Sequence, residues 1–374
     1  MYLKELRINN FRNCREAVLD FSPNVNCFIG LNGAGKTNLL DAIYYLSFCK
    51  SYFGGVENQN ILHEENFFSI LGNYRREEDL SETCHCILER GKLKQFKLNK
   101  KEYSRLSDHI GRYPLVMVSP YDRDLINDGS EQRRRYIDSV ISQFDRMYLG
   151  DLIAYNKALA QRNALLKRFV GEGYFDRNML EIWDMRMEEP AVRIFHRRKD
   201  FSQNFSPVFQ KYYEIISGGK ERVDIIYESQ LENISFLDLM RQNIEKDRAL
   251  RYSSSGIHKD DLSFKIDGCP VKYYASQGQQ KSFVVAIKLA QFDYIRDKTF
   301  VKPILLLDDL FDKLDEERAT QLIRLAGGDY FGQVFISDTQ YDRIQKLFED
   351  YNSDHRIFEV ANGVIRSNQL GEKE

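Results

Sequence analysis

Residues 30–37 read GLNGAGKT, which fits the phosphate-loop pattern G-x-x-x-x-G-K-[ST] at every fixed position. The pattern constrains the fold because it works in one setting only. A strand must deliver the chain to the loop and a helix must carry it away. The loop N–H groups and the positive end of the helix dipole then point at one phosphate. Both flanks are present. NVNCFIG (24–30) is a short apolar run that stops at a glycine, and KTNLLDAIYYLSF (36–48) has apolar residues at 39, 40, 43, 46 and 48, close to helical spacing. Here Gly30, Asn32, Gly33, Ala34, Gly35 and Asn38 line the phosphates. Lys36 reaches the β- and γ-phosphates, and Thr37 offers its hydroxyl to Mg²⁺. The competing account is a glycine-rich turn without a ligand.

A second strand belongs to the same setting. KPILLLDD (302–309) is a continuous apolar run ending in acid, as expected of a strand buried on both faces. Asp308 at its tip is placed to hold Mg²⁺ beside Thr37. Asp309 follows and could polarise an attacking water, or cap the next turn. Aspartate is one methylene shorter than glutamate, so slow hydrolysis is expected. QVFISD (333–338) repeats this kind of strand, and RIFEVANGVIR (356–366) reads as a hairpin around Asn362-Gly363. Residues 134–215 are helical in pattern and strongly charged. The expected architecture is an α/β fold: mixed sheets around the phosphate-loop helix, with an inserted, mainly helical second lobe. Its ATPase lobe takes residues 1–120 and 291–374, and the second lobe residues 121–290.

Other features narrow the class by exclusion. No uninterrupted apolar run reaches about 18 residues, so no membrane span is expected. MYLKELRINNFRN has no apolar h-region, so a secretory signal is not expected and a cytoplasmic location is. The six cysteines are scattered. Only Cys84-His85-Cys86 clusters, and no second ligand pair stands near to make a zinc site. Lys+Arg number 54 and Asp+Glu 56, for a net charge of −2. Any nucleic-acid contact must therefore come from local patches.

SQGQQK (276–281) sets a hydroxyl, a glycine and three amides just before an apolar helical run. A helix N-cap would account for it. In order along the chain, however, the phosphate loop, SQGQQK, ILLLDD, DKLD and SDT together resemble the heads of ATP-binding-cassette ATPases, where such a loop is the signature motif. Further stretches narrow the resemblance. LRINNFRNCREAVLDF with the phosphate loop, VSPYDRDLINDGSEQRRRYID (118–138) and SGIHKDDLSFKIDG (255–268) are similar to the RecF family of bacterial recombination mediators. The likeness runs over nearly the whole chain.

That resemblance implies ATP and Mg²⁺ as cofactors and a head-to-tail homodimer closed on ATP. Ser276 and Gly278 of one chain would contact the γ-phosphate held by Lys36 of the other, which suits the uncapped N–H groups of a helix start. It implies that Arg12 and Asn13 lie near the nucleotide, and that Thr339 senses the γ-phosphate. Duplex or gapped DNA, RecO and RecR are the implied partners, and loading of RecA at gaps the implied task. Three departures touch the tuning of hydrolysis: Tyr121 stands where the family usually has an acid, Asp312-Lys313-Leu314-Asp315 varies the usual turn, and SDT lacks a histidine. The candidate DNA contacts are Lys92, Lys94, Lys97, Lys100 and Lys101 in one hairpin, the Arg133-Arg134-Arg135 run, and Arg193, Arg197, Arg198 and Lys199. Each could equally be a solvated edge or helix face. His258, Asp260 and Asp261 read as a polar supporting turn rather than a catalytic cluster. The alternatives are a transporter's soluble ATPase subunit and a small-molecule kinase, but the signature loop has no task in a kinase.

Overall fold

The computed structural model describes residues 1–76, 80–219, 221–309, 330–341, 344 and 354–368; the Asp312–Asp315 turn lies outside them. The chain divides into two compact units, one of Met1–Asp122 with Gln291–Glu374, the other Arg123–Ala290.

The first unit holds two six-stranded sheets. One follows the order β2-β1-β4-β5-β6-β7, built from β1 (Tyr2–Phe11), β2 (Cys14–Asp20), β4 (Phe67–Arg75), β5 (Ser81–Glu89), β6 (Gln95–Leu98) and β7 (Lys101–Glu102), all antiparallel. Burial alternates along β4 and β5, as it must where one sheet face is covered and the other wet. The second sheet runs β15-β14-β3-β13-β12-β8. Its strands are β3 (Val25–Ile29), β8 (Leu115–Val118), β12 (Ile304–Leu307), β13 (Val334–Asp338), β14 (His355–Ala361) and β15 (Val364–Asn368). Every residue of β3, β8, β12 and β13 is buried, which explains why β8 and β12 are wholly apolar and why only Asn26 interrupts β3 and only Ser337 and Asp338, at its end, interrupt β13. These four and β14 all run parallel to their neighbours in that order, and only β15 is antiparallel, paired with β14.

Helix α1 (Lys36–Phe48) packs against both sheets, touching β1, β4 and β5 of one and β8 and β13 of the other. It is therefore apolar almost all round rather than along a stripe. Leu40, Ala42, Ile43, Tyr45 and Leu46 are fully buried, so truncating Leu40 to alanine would cost roughly 2–5 kcal/mol.

The second unit contains α2 (Asp124–Asn127), α3 (Ser130–Ser142), α4 (Arg146–Glu172), α5 (Arg177–Ser217), α6 (Phe236–Gln242), α7 (Ile244–Leu250) and α8 (Val271–Tyr274). It also holds an antiparallel sheet, β11-β10-β9, of β9 (Val223–Glu228), β10 (Asp261–Ile266) and β11 (Cys269–Pro270). Asp145 and Asp176 cap the N-termini of α4 and α5 by accepting from backbone N–H groups, and Gly173 and Gly218 end them in the left-handed region. Arg162 pairs with Asp184 and Asp151 with Arg193, so α4 and α5 run antiparallel. Two prolines, Pro190 and Pro207, lie inside α5 without ending it. Helix α9 (Gln277–Thr299) follows.

Candidate functional site: the phosphate loop and its acid

The loop opens at the end of β3 and closes into α1. Gly35, its last glycine, has φ +115°, and a Cβ there would stand 2.7–2.8 Å from the Asn13 carboxamide. Only glycine fits that backbone and that approach. Lys36 is 3% exposed. Its Nζ donates to the Gly30 carbonyl at 2.8 Å and the Leu31 carbonyl at 3.1 Å, so the ammonium bends back over its own loop. Asn32 and Gly33 at the loop tip are exposed, whereas Ala34 is buried.

The acid-tipped strand arrives beside it. Thr37 Oγ1 donates to Asp308 Oδ1 at 2.9 Å, and Ser337 Oγ donates to the same oxygen at 2.8 Å. The Ser337 hydroxyl also accepts from the Asp309 N–H at 2.9 Å. Burial pushes the Asp308 carboxyl above its usual range, opposed by the Ser337 and Thr37 hydroxyls and by nearby Lys36. A cation there would favour the ionised form. A threonine hydroxyl and a carboxylate are hard oxygen donors, as Mg²⁺ prefers, so these residues fit that ion. Asp309 has φ +43°, an uncommon conformation for an aspartate, held by the bond to Ser337. Thr339 follows β13 directly. Thr37, Asp308 and Thr339 thus stand at or just beyond the carboxyl ends of neighbouring parallel strands, where open α/β sheets place ligands.

Two expected phosphate neighbours have protein partners. Arg12 lies 2.8 Å from Asp41 Oδ2 and donates to Ser51 Oγ at 2.9 Å; Nη1 reaches Asn38 Oδ1 at 3.5 Å. Its charge is met by a fully buried carboxylate on α1, and its bond to Asn38 keeps it beside the junction of loop and helix. Asn13 Nδ2 donates to the Ala34 carbonyl at 3.1 Å and Asn38 Nδ2 to Asn13 Oδ1 at 2.7 Å, so this side chain ties the loop together.

In the other unit, Ser276 and Gln279 form a reciprocal capping box. The Gln279 N–H donates to Ser276 Oγ at 3.2 Å, and the Ser276 N–H to Gln279 Oε1 at 2.6 Å. Gln279 Nε2 also donates to Glu221 Oε1 at 2.6 Å. Ser276 and Gly278 are exposed, so the capped helix start faces solvent.

The basic candidates separate. The Lys94 side chain is 9% exposed. It pairs with Glu57 and donates to the Cys49 carbonyl at 2.6 Å and to Tyr45 Oη at 3.1 Å. Lys94 is thus an internal residue, not a DNA contact. Arg133 binds Asp261 through two hydrogen bonds, of 2.7 and 2.9 Å, and Arg134 donates to the Asp260 carbonyl at 2.6 Å. Both are engaged within the lobe, against expectation. Arg135 and Lys92 remain exposed, with surface partners Glu131 and Glu89, and Lys97 is half-buried. Arg193 pairs with Asp151 and Glu189, Arg197 with Asp145 and Lys199 with Glu232.

Arg198 is the clearest departure. It is buried, donates to Asp138 at 2.9 and 3.1 Å and to the Ile257 carbonyl at 2.8 Å, and lies 3.2 Å from Asp260. Tyr227 donates to the same Asp260. Burial raises the Asp260 carboxyl while Arg198 pulls it down. His258 Nε2 lies 3.0 Å from the Ser253 carbonyl, which can only accept, so that nitrogen carries the proton and Nδ1 accepts from Tyr155 Oη at 2.8 Å. Burial pushes the ring down to about 4. His258, Asp260 and Asp261 are therefore internal pins of the helical unit. Cys84 and Cys86 point to the buried face of β5 while His85, across the strand, meets Ser69. Among the described residues no group of three or more His, Cys, Asp or Glu could hold a metal ion, and no helix is long and apolar enough to cross a membrane.

The family model for the RecF/RecN/SMC N terminal domain matches residues 2–365. A DNA replication and repair protein RecF from Phocaeicola vulgatus is 48% identical over 367 residues, covering 98% of each chain. One from Flavobacterium johnsoniae is 48% identical over 360 residues, 96% of this chain and all of the relative. A solved structure of the recombination mediator protein RecF with ATP, in the RecFOR pathway, superposes with a TM-score of 0.89 at 29% identity, over 98% of this chain and 97% of that one. An Smc head domain from Pyrococcus furiosus shares the fold alone, with a TM-score of 0.57 and 17% identity over 98% and 96%. The fold is that of an ABC-type ATPase head.

Proposed function

Because the chain belongs to the RecF family of DNA replication and repair proteins, we propose that it is an ATP-driven switch that closes on DNA as a homodimer. ATP is held by residues 30–37, with loop amides and the start of α1 facing the phosphates. Lys36 leaves its two carbonyls to meet the β- and γ-phosphates. Thr37 and Asp308 hold Mg²⁺, which when bound neutralises phosphate charge. Ser337 keeps the Asp308 carboxylate in register, and Asp309 accepts a proton from, or orients, the attacking water.

The dimer follows from the second unit. The exposed Ser276 hydroxyl and the start of α9 offer donors to the γ-phosphate of a partner chain's ATP. Loss of that phosphate removes the contacts and opens the pair. DNA is gripped through backbone phosphates rather than base edges. RecO and RecR act with it to place RecA at gaps.

The observation that carries this reading is the meeting of Thr37 and Ser337 on Asp308 beside a complete phosphate loop. Sedimentation of the full chain, with and without Mg²⁺-ATP and a gapped duplex, tests it. ATP should convert monomer to dimer and strengthen DNA binding. Identical sedimentation and DNA affinity with and without ATP would refute the switch.

A further inference from the structure

The Ala34 carbonyl, inside the phosphate loop, accepts two hydrogen bonds from outside it. The Gly363 N–H donates at 3.0 Å and Asn13 Nδ2 at 3.1 Å. The first donor comes from the β14–β15 turn, the second from the β1–β2 turn. The two turns are pressed together. Gly363 has φ +79°, and a Cβ there would stand 2.1 Å from the Asn13 carbonyl oxygen. Asn38 holds the Asn13 oxygen at 2.7 Å, which leaves the Asn13 amide nitrogen for Ala34.

Among the described residues no peptide bond is cis. In a planar trans peptide the C=O and the following N–H point to opposite sides. Anchoring the Ala34 oxygen outward therefore turns the Gly35 N–H inward, the direction from which loop amides meet a phosphate. We infer that Gly363 and Asn13 are positioning residues for nucleotide binding, which fix the Ala34–Gly35 peptide plane without touching the nucleotide. This rests on reading residues 30–37 as the nucleotide site. The C-terminal hairpin is thereby part of the phosphate-binding apparatus, and its Asn362-Gly363 sequence serves close approach as well as the turn.

The test uses the full chain with Asn13→Asp, Gly363→Ala and a matched control, Gly268→Ala. Gly268 has the same φ, +79°, in another hairpin, with nothing within 4 Å of an added Cβ. Three quantities are read: ADP and ATP affinity by calorimetry, the melting midpoint without ligand, and the Gly35 amide resonance in ¹⁵N-glycine-labelled protein without nucleotide. Asn13→Asp is isosteric but sets a carboxylate against the Ala34 oxygen. It should lower ADP and ATP affinity alike, by about tenfold or more, as expected for the loss of one hydrogen bond and its replacement by repulsion. The Gly35 resonance should move, and the ligand-free midpoint should stay at that of the wild type. Gly363→Ala should do the same to affinity and resonance, beyond whatever Gly268→Ala does. Wild-type affinity with an unmoved Gly35 resonance in Asn13→Asp overturns the inference. So does a loss in Gly363→Ala that Gly268→Ala reproduces. A wild type that binds no ADP refutes the site itself, while the Gly35 resonance still reports on the clamp.

Discussion

Thr37 Oγ1 donates a hydrogen bond to Asp308 Oδ1 across 2.9 Å, joining residues 271 positions apart. The bond brings the first turn of α1 and the tip of β12 to one point, and Ser337 locks the acid from the other side. Thr37→Ala should therefore cut ATP affinity in Mg²⁺ far more than affinity in a chelator. Calorimetry under both conditions checks this; equal losses would separate Thr37 from the ion.

Lys36→Met removes the one ammonium in the loop and should weaken ATP binding about 10- to 100-fold, from the ~1.5–3 kcal/mol of hydrogen bonds to a charged group. Lys36→Arg keeps the charge but changes its shape, so binding should survive better than hydrolysis. Equilibrium binding beside single-turnover hydrolysis separates the two effects.

Ser276→Arg should leave ATP binding by one chain intact and abolish the ATP-dependent dimer. Ser276→Ala also breaks the capping box with Gln279, which costs about 1 kcal/mol. Its melting midpoint should fall slightly and its dimer weaken. A monomer–dimer equilibrium unchanged in Ser276→Arg would exclude a cross-chain role.

Arg198→Met strands Asp138 and Asp260 inside the helical unit. Removing one partner of a buried ion pair costs roughly 3–5 kcal/mol, so the chain should melt several degrees lower. An unchanged melting midpoint would show that the two acids find other compensation.

His258 imposes a pH dependence. Its ring stays neutral in the folded chain down to about pH 4, against an ordinary value of 6.5. Below pH 6.5 the unfolded chain takes up a proton that the folded one refuses. Stability is thus complete above pH 6.5 and falls as pH drops towards 4, by about 3 kcal/mol at full effect. His258→Gln should flatten part of that slope in denaturant titrations. The buried His109, also pushed down to about 4 by burial, should supply the remainder.

Lys92 and Lys97 are tested through salt. If they meet DNA phosphates, each Lys→Gln change should lower the slope of log K against log salt by about 0.9. Lys94→Met should leave that slope alone and lower stability, because its ammonium is enclosed by Glu57, Cys49 and Tyr45.

The phosphate loop was legible because its chemistry is local: strand, loop and helix follow without interruption. Asp308 was legible because an apolar run that ends in acid has few other uses. SQGQQK carried a capping-box spacing, Ser276 to Gln279, that could be read directly. Ser337 was harder, since its significance lies in a neighbouring strand's tip. Lys94 and Arg198 were misread for a common reason. A charge pattern shows where charges fall along the chain, but not whether an acid such as Glu57 or Asp260 waits across the fold. Gly363 looked like an ordinary hairpin glycine because its neighbour, Asn13, is distant in sequence.

The order of strands in the second sheet has a consequence for biosynthesis. Strand β3 pairs with β13 and β14 and with nothing made earlier. At ~5–20 residues per second, the roughly 300 residues separating them take about 15–60 s to translate. Throughout that interval the strand that launches the phosphate loop has neither hydrogen-bonding neighbour on its two edges. The nucleotide site is thus among the last features of the molecule to be completed at the ribosome, although it is among the first to be translated.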